Sequence, residues 1–168
     1  MIIRAPHEDE LEDLRARLRE EWMGEVIVSR GVSHQISNLA MLVAVDGSSP
    51  AGLASYFVGE GGCELVTLNA FEPGRGVGGA LLEAVAKRAR EAGCDRLWLV
   101  TTNDNEAAQR FYEHRGLRLV ATHHGAVDEA RALKPSIPFL GENGIEIHNE
   151  LEYELKLGRW DSNPQPLD

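Results

Sequence analysis

A cluster of glycines at the start of a helical pattern constrains this chain more than any other feature. The stretch Gly74-Arg-Gly-Val-Gly-Gly79 leads directly into an amphipathic pattern from Ala80 to Ala92. The first turn of a helix has unpaired N–H groups and a partial positive charge, and glycine lets those groups approach an anion closely. The junction therefore predicts a phosphate-binding site, to which Arg75 adds a charge. The alternative is that the glycines serve only a tight turn and close helix–sheet packing.

Two well-known phosphate-binding motifs do not fit this loop. Gly74-x-Gly76-x-x-Gly79 matches the dinucleotide fingerprint. That fingerprint follows the first strand of a βαβ unit and needs an acidic residue at the end of the next strand, whereas Asp95 precedes the next predicted strand. A P-loop needs Gly-Lys-Ser/Thr after its glycines, and Gly79-Ala-Leu81 does not supply it.

Hydrophobic periodicity predicts one α+β domain over residues 1–157, with a C-terminal tail at 158–168. The predicted strands cover residues 2–4, 41–45, 51–58, 63–71, 96–101, 117–122 and 151–157. The predicted helices cover residues 7–22, 80–92 and 106–115. Residues 23–38 are weakly patterned and indicate a short helix and a loop. The long segment 123–150 indicates one helical turn near 127–133 and either a wall of the substrate pocket or a contact in a homodimer.

Charge and cysteine content narrow the function. The 168 residues carry a net charge of −10, which disfavours a partner such as nucleic acid or an anionic membrane and permits a cationic amine. Two cysteines cannot form a disulfide framework, so a reducing, cytoplasmic location is the simplest expectation. The start of the chain turns acidic after three apolar residues and is not a signal peptide. The histidines lack a recognisable metal spacing, so no metal site is expected.

Two motifs together resemble those of the GNAT superfamily of acetyl-CoA-dependent N-acetyltransferases. The family's Gln/Arg-x-x-Gly-x-Gly/Ala motif aligns with Pro73-Gly-Arg-Gly-Val-Gly78, with proline at the first position. The family's Asn-x-x-Ala-x-x-x-Tyr-x-x-x-Gly-Phe motif aligns with Asn105 to Leu117, where leucine replaces phenylalanine. The resemblance covers about residues 1–157 and implies a three-layer α+β fold. Its mixed, twisted sheet would have about seven strands, would splay after the glycine loop, and would carry helices on both faces.

The resemblance also implies acetyl-CoA as cosubstrate and the residues that hold it. In the family, backbone amides of the glycine loop bind the CoA pyrophosphate, the preceding strand pairs with the pantetheine arm, and an Asn contacts that arm. The corresponding positions here are Arg75, Gly76, Val77, Gly78 and Gly79 in the loop, Leu68, Asn69 and Ala70 through backbone atoms in the strand, and Asn105.

For catalysis, the resemblance implies direct acetyl transfer to a primary amine of a small molecule or peptide. Tyr112 corresponds to the acid that protonates the departing thiolate, and Glu64 stands where some relatives carry a catalytic base. The plainer interpretations are a core aromatic for Tyr112 and an exposed strand-end carboxylate for Glu64. His148 and Glu150 are further candidates to face the acceptor, and Cys63 and Cys94 are expected to be small packing residues rather than nucleophiles. The alternative function is a non-catalytic acyl-CoA-binding sensor or structural module.

Overall fold

The strands of the main sheet and the α-helices follow the order that the periodicities predict. The computed structural model describes residues 1–158, so the predicted tail lies outside the described residues from residue 159 onward. The described α-helices are α1 (Leu11–Glu21), α2 (Val77–Glu91), α3 (Glu106–His114) and α4 (Ala126–Leu133). The described strands are β1 (Ile2–Arg4), β2 (Val26–Ser29), β3 (Val32–Gln35), β4 (Ala40–Asp46), β5 (Ser49–Gly59), β6 (Gly62–Ala70), β7 (Arg96–Thr102), β8 (Arg118–His123) and β9 (Glu150–Lys156).

The main sheet is mixed and has seven strands in the order β1-β4-β5-β6-β7-β9-β8. Strands β4, β5 and β6 form an antiparallel meander. Strand β7 then runs parallel to β6, which requires the crossover that α2 provides. The predicted mixed sheet of about seven strands is confirmed.

Side-chain alternation along β4 divides the core into two layers. Met41 and Val43 pack in one cluster with Leu14 of α1. Leu42 and Ala44 point the other way and pack in a second cluster with the apolar face of α2. Helix α3 packs on this second side. Helices therefore cover both faces of the sheet, as predicted.

The prediction of a short helix and loop over residues 23–38 is wrong. This stretch forms an antiparallel hairpin of β2 and β3, in which Ser29 pairs with Val32, followed by a short 3-10 turn. The two turn residues, Arg30 and Gly31, both have positive φ angles of 49° and 74°. Turns of this kind match the twist of paired strands, and the β-branched run Val26-Ile-Val28 favours a strand.

A β-bulge in β6 lies just beyond the point where the sheet opens. The register of β5 against β6 shifts between Ser55 and Tyr56, which leaves one extra residue in β6. A bulge bends its strand and increases its twist. Strands β6 and β7 pair only at Cys63 with Leu97 and at Glu64 with Trp98, and beyond these positions they diverge. The splayed sheet that the resemblance implied is therefore present.

Candidate active site

The glycine loop ends in an exposed helix N-terminus. Gly76 caps α2 with a left-handed backbone, at a φ of 73°, which glycine adopts without strain. The first hydrogen bond that closes the helix runs from the Ala80 N–H to the Gly76 carbonyl. The N–H groups of Val77, Gly78 and Gly79 precede that bond, so they are the donors that a helix terminus offers to an anion.

The two glycines inside α2 also serve close packing against α3. A Cβ at Gly78 would lie 3.2 Å from the Phe111 ring, and one at Gly79 would lie 2.6 Å from the Arg115 guanidinium. The same guanidinium stacks on the Phe111 ring, 3.9 Å from its centre. Phosphate binding and close packing were alternatives at the sequence level, and the packing role is visible here at Gly78 and Gly79.

Arg115 is a cation at the glycine loop that sequence analysis missed. Arg75, the residue that was expected to add charge there, is half exposed and pairs with Asp46 and Glu72. Arg115 follows α3 and reaches α2 only through the packing of the two helices. The sequence offers no spacing signal for that approach.

The divergence of the strands leaves one edge of β6 open. Leu68, Asn69 and Ala70 pair with β5 on one side. On the other side, the described chain places no strand beside these residues, because β7 pairs with β6 only at Cys63 and Glu64. The open edge has the unpaired backbone groups that an extended, amide-bearing ligand can engage.

A cavity of about 180 Å³ lies between the diverging strands. Its described walls include three consecutive residues from each strand, 64–66 of β6 and 100–102 of β7, together with residues of the β2–β3 hairpin. Because successive side chains of a strand point to opposite faces, the cavity extends between the strands rather than lying on one face. The remaining wall is formed by Trp22, Asn105 and Glu150.

Glu64 is buried in this wall and is bound to a histidine from the hairpin. Its side chain is only 5% exposed, and its Oε2 lies 3.0 Å from Nε2 of His34, which is 7% exposed. Within the described chain, Glu64 Oε1 is buried and has no hydrogen-bond partner. The interpretation of Glu64 as an exposed carboxylate is therefore wrong: one oxygen is anchored and the other is unpartnered beside a cavity.

Tyr112 lies in the core layer on the α2 side of the sheet. Its ring meets Phe111 edge-to-face at 5.3 Å and lies 6.3 Å from the ring of Tyr153. Burial raises the pKa of the Tyr112 phenol to about 12. The phenol is therefore protonated throughout the neutral range and is a hydrogen-bond donor there.

Asn105 has a structural role as well as a place in the cavity wall. Its side-chain oxygen accepts a hydrogen bond from the Ala108 N–H at 3.1 Å and so caps α3. This cap fixes the start of the helix that carries Tyr112. Asn105 and Glu64 line the same cavity, whereas Tyr112 is not among its described lining residues.

Of the two further candidates near the last strand, the structure brings only one to the cavity. Glu150 is 5% exposed and lines the cavity, and its Oε1 lies 3.3 Å from the Arg30 guanidinium. His148 instead binds Asp128 and Glu146 on the surface, and these carboxylates raise its pKa.

The segment 123–150 contacts the β2–β3 hairpin and contributes little to the wall of the cavity. Besides Glu150, it contributes none of the described residues that line the cavity. Helix α4 packs beside β2, and the Lys134 ammonium donates to the backbone carbonyls of Trp22 and Val26 at the base of the hairpin. The segment thus holds the hairpin in place.

The two cysteines show no sign of nucleophilic activation. Cys63 is fully buried, and burial raises the pKa of its thiol to about 12. Burial also raises the pKa of Cys94. The described residues contain no group of three or more His, Cys, Asp or Glu side chains placed to hold a metal ion. Among residues 1–158, no helix has the length and apolarity needed to cross a membrane.

Comparisons with known proteins identify the family. The model of the acetyltransferase (GNAT) family matches residues 3–117. A Bacillus subtilis (strain 168) relative, the uncharacterized protein YdhI, is 38% identical over 128 residues, which are 76% of this chain and 79% of that protein. This chain therefore belongs to the GNAT acetyltransferase family.

Solved structures share the fold. An acetyltransferase of Bacillus subtilis in complex with CoA superposes with a TM-score of 0.67 and 20% identity, covering 92% of this chain and 97% of that chain. A GNAT family acetyltransferase of Elizabethkingia anophelis with acetyl-CoA bound gives a TM-score of 0.66 and 17% identity, covering 93% and 97%. The predicted family and fold are confirmed.

Proposed function

We propose that this protein transfers the acetyl group of acetyl-CoA to a primary amine by direct attack in a ternary complex. The observation that carries the proposal is Glu64, a buried carboxylate with one oxygen held by His34 and the other unpartnered at a cavity between the splayed strands. Two solved relatives of the fold hold CoA or acetyl-CoA.

The residues of the glycine loop fit the phosphates of such a cosubstrate. The N–H groups of Val77, Gly78 and Gly79 and the guanidinium of Arg115 would bind the pyrophosphate, since a helix N-terminus and an arginine together suit an anion. These local donors would allow a chain with a net charge of −10 to bind a polyanion. Arg75 contributes only if it leaves Asp46 and Glu72.

The open edge of β6 would hold the pantetheine arm beside the cavity. Backbone groups of Leu68, Asn69 and Ala70 would pair with its amides as a strand does. A backbone N–H of this strand would donate to the thioester oxygen and stabilise the charge that develops there. Asn105, at the cavity wall, would contact the same arm.

Glu64 and Tyr112 divide the proton transfers. As the C–N bond forms and the C–S bond breaks, the amine passes from its ammonium form to an amide and loses two protons. Glu64 takes one of these protons and passes it to solvent, with His34 as the positioning residue that fixes the carboxylate. Tyr112 donates its proton to the thiolate sulfur, and the second amine proton restores the phenol.

The test compares binding and turnover in matched variants. Glu64→Gln should bind acetyl-CoA like the unaltered protein in isothermal titration, but its kcat for thiol release should fall by about 10²-fold or more. Tyr112→Phe should likewise keep acetyl-CoA binding and lower kcat. Tyr56→Phe is the control: it changes a half-buried tyrosine in the same core layer and should preserve kcat. Absence of acetyl-CoA binding at millimolar ligand, or undiminished turnover in Glu64→Gln, contradicts the proposal.

A further inference from the structure

We infer that the acceptor is a small primary amine with one positive charge and an apolar substituent, bound in the cavity between β6 and β7. This inference rests on the proposed acetyl transfer and names the class of amine that the site selects. Three properties of the cavity carry it: its size, its apolar walls, and the sign of the charges that line it.

The size of the cavity limits the part of the acceptor that enters it to a compact group. The volume is about 180 Å³. A cavity of about 150 Å³ in another protein binds benzene, so this one accommodates a group of about six to eight non-hydrogen atoms. Sugar-based amines with several rings exceed that volume.

Half of the described lining residues are apolar or aromatic. These residues are Trp22, Ile27, Val28, Leu65, Val66 and Val100. Burying apolar surface gives about 0.8 kcal/mol per methylene, which corresponds to about a fourfold gain in kcat/KM for each methylene that the cavity covers. A hydrocarbon substituent is therefore favoured over a hydroxylated or amide-bearing one.

The charges in the cavity select one ammonium group and reject a carboxylate. Glu64 and Glu150 line the wall, and none of the described lining residues is Lys, Arg or His. The basic side chains beside them, Arg30 and His34, are already paired with Glu150 and Glu64. An α-amino acid would bring a third carboxylate between these two. A diamine would place its second ammonium against the apolar wall, where an unpaired charge is strongly disfavoured.

Two buried oxygen atoms of the lining residues provide acceptors for that ammonium. Glu64 Oε1 and Ser29 Oγ are both buried and have no hydrogen-bond partner within the described chain; the Trp22 Nε1 donor of the same wall is unpaired as well. Since buried polar atoms are normally hydrogen-bonded, their unsatisfied state indicates a ligand donor. An ammonium has three donors, at least one for each oxygen.

The experiment measures kcat/KM for thiol release with pairs of amines that differ in one charged group. Benzylamine should exceed phenylglycine, its carboxylated counterpart, by about a hundredfold, because like-charge contacts at a buried site are strongly unfavourable. Butylamine should exceed 1,4-diaminobutane by a similar factor. Activity should rise about fourfold per methylene from ethylamine to butylamine.

Variants connect this preference to the cavity. Glu150→Gln should reduce the ratio of kcat/KM for benzylamine to kcat/KM for phenylglycine at least tenfold. Glu154→Gln is the control and should leave this ratio unchanged, because Glu154 lies on the same face of β9 but outside the cavity. Should Glu150→Gln fail to fold, Val100→Ala offers a second test, since a larger cavity should move the preferred alkylamine to a longer chain.

The outcomes separate this inference from the proposed function. Equal or better turnover of phenylglycine, of 1,4-diaminobutane, or of a peptide with one lysine overturns the acceptor class and leaves acetyl transfer in place. An unchanged preference in both variants also overturns it. If acetyl-CoA binds and no amine or peptide gives thiol release, the proposed function fails and this inference fails with it.

Discussion

The buried His34–Glu64 pair gives the sharpest prediction. His34→Ala removes the only described hydrogen-bond partner of the Glu64 side chain, whose Oε2 lies 3.0 Å from the imidazole. Truncating one member of a buried polar or charged pair typically costs about 3–5 kcal/mol, because the other member stays buried without compensation. We therefore expect His34→Ala to lower the free energy of unfolding by about 3 kcal/mol.

Urea unfolding measures this cost. With a slope of about 2 kcal/mol per molar urea, the midpoint should fall by about 1.5 M. Gln35→Ala, a change to an exposed neighbour on the same strand, should alter the free energy of unfolding by less than about 0.5 kcal/mol. His34→Gln, which keeps a donor, should recover part of the loss in stability and part of the loss in kcat.

A double-mutant cycle decides whether the pair interacts. In a Glu64→Gln background, His34→Ala should lower the free energy of unfolding by at least about 1.5 kcal/mol less than it does in the unaltered protein. The reason is that a buried neutral amide without a partner is less destabilising than a buried carboxylate without one. A coupling energy below about 0.5 kcal/mol would refute the reasoning, because the two side chains would then contribute independently.

Two further predictions concern the loop and the N-terminal region. Gly79→Ala should push the Arg115 guanidinium away from the start of the helix. CoA binding measured by titration should then weaken by about tenfold, while the stability of the fold is unchanged. An unchanged dissociation constant would show that Arg115 does not bind the phosphates. Hydrogen bonds from the Arg4 guanidinium and the His7 N–H lower the pKa of Glu10 from 4.5 to about 2. The ionised Glu10 carboxylate therefore stabilises the fold fully above pH 4.5, and this stabilisation is lost as the pH falls towards 2. Urea midpoints should therefore fall more steeply between pH 4.5 and 2 in the unaltered protein than in Glu10→Gln, and parallel curves would contradict this.

Local patterns predicted most of the architecture. Period-two runs and apolar helical stripes marked the elements of the main sheet, and the two motifs led to the family and its splayed sheet. The β2–β3 hairpin was missed because its strands are four residues long and its turn, Arg30-Gly31, lacks the usual Asn-Gly signal. Since His34 lies on that hairpin, the partner of Glu64 was missed as well.

By itself, the sequence determined the class of the protein. The glycine loop requires a backbone that only glycine adopts easily, and its place before an amphipathic helix determines where the N–H groups lie, since both effects are local in the chain. The tertiary structure alone decided which side chains meet. His34 and Glu64 are 30 residues apart, and Arg30 and Glu150 are 120 apart. Contacts of that separation depend on strand order, a bulge and helix packing, and these arise from the whole fold rather than from any short stretch of sequence.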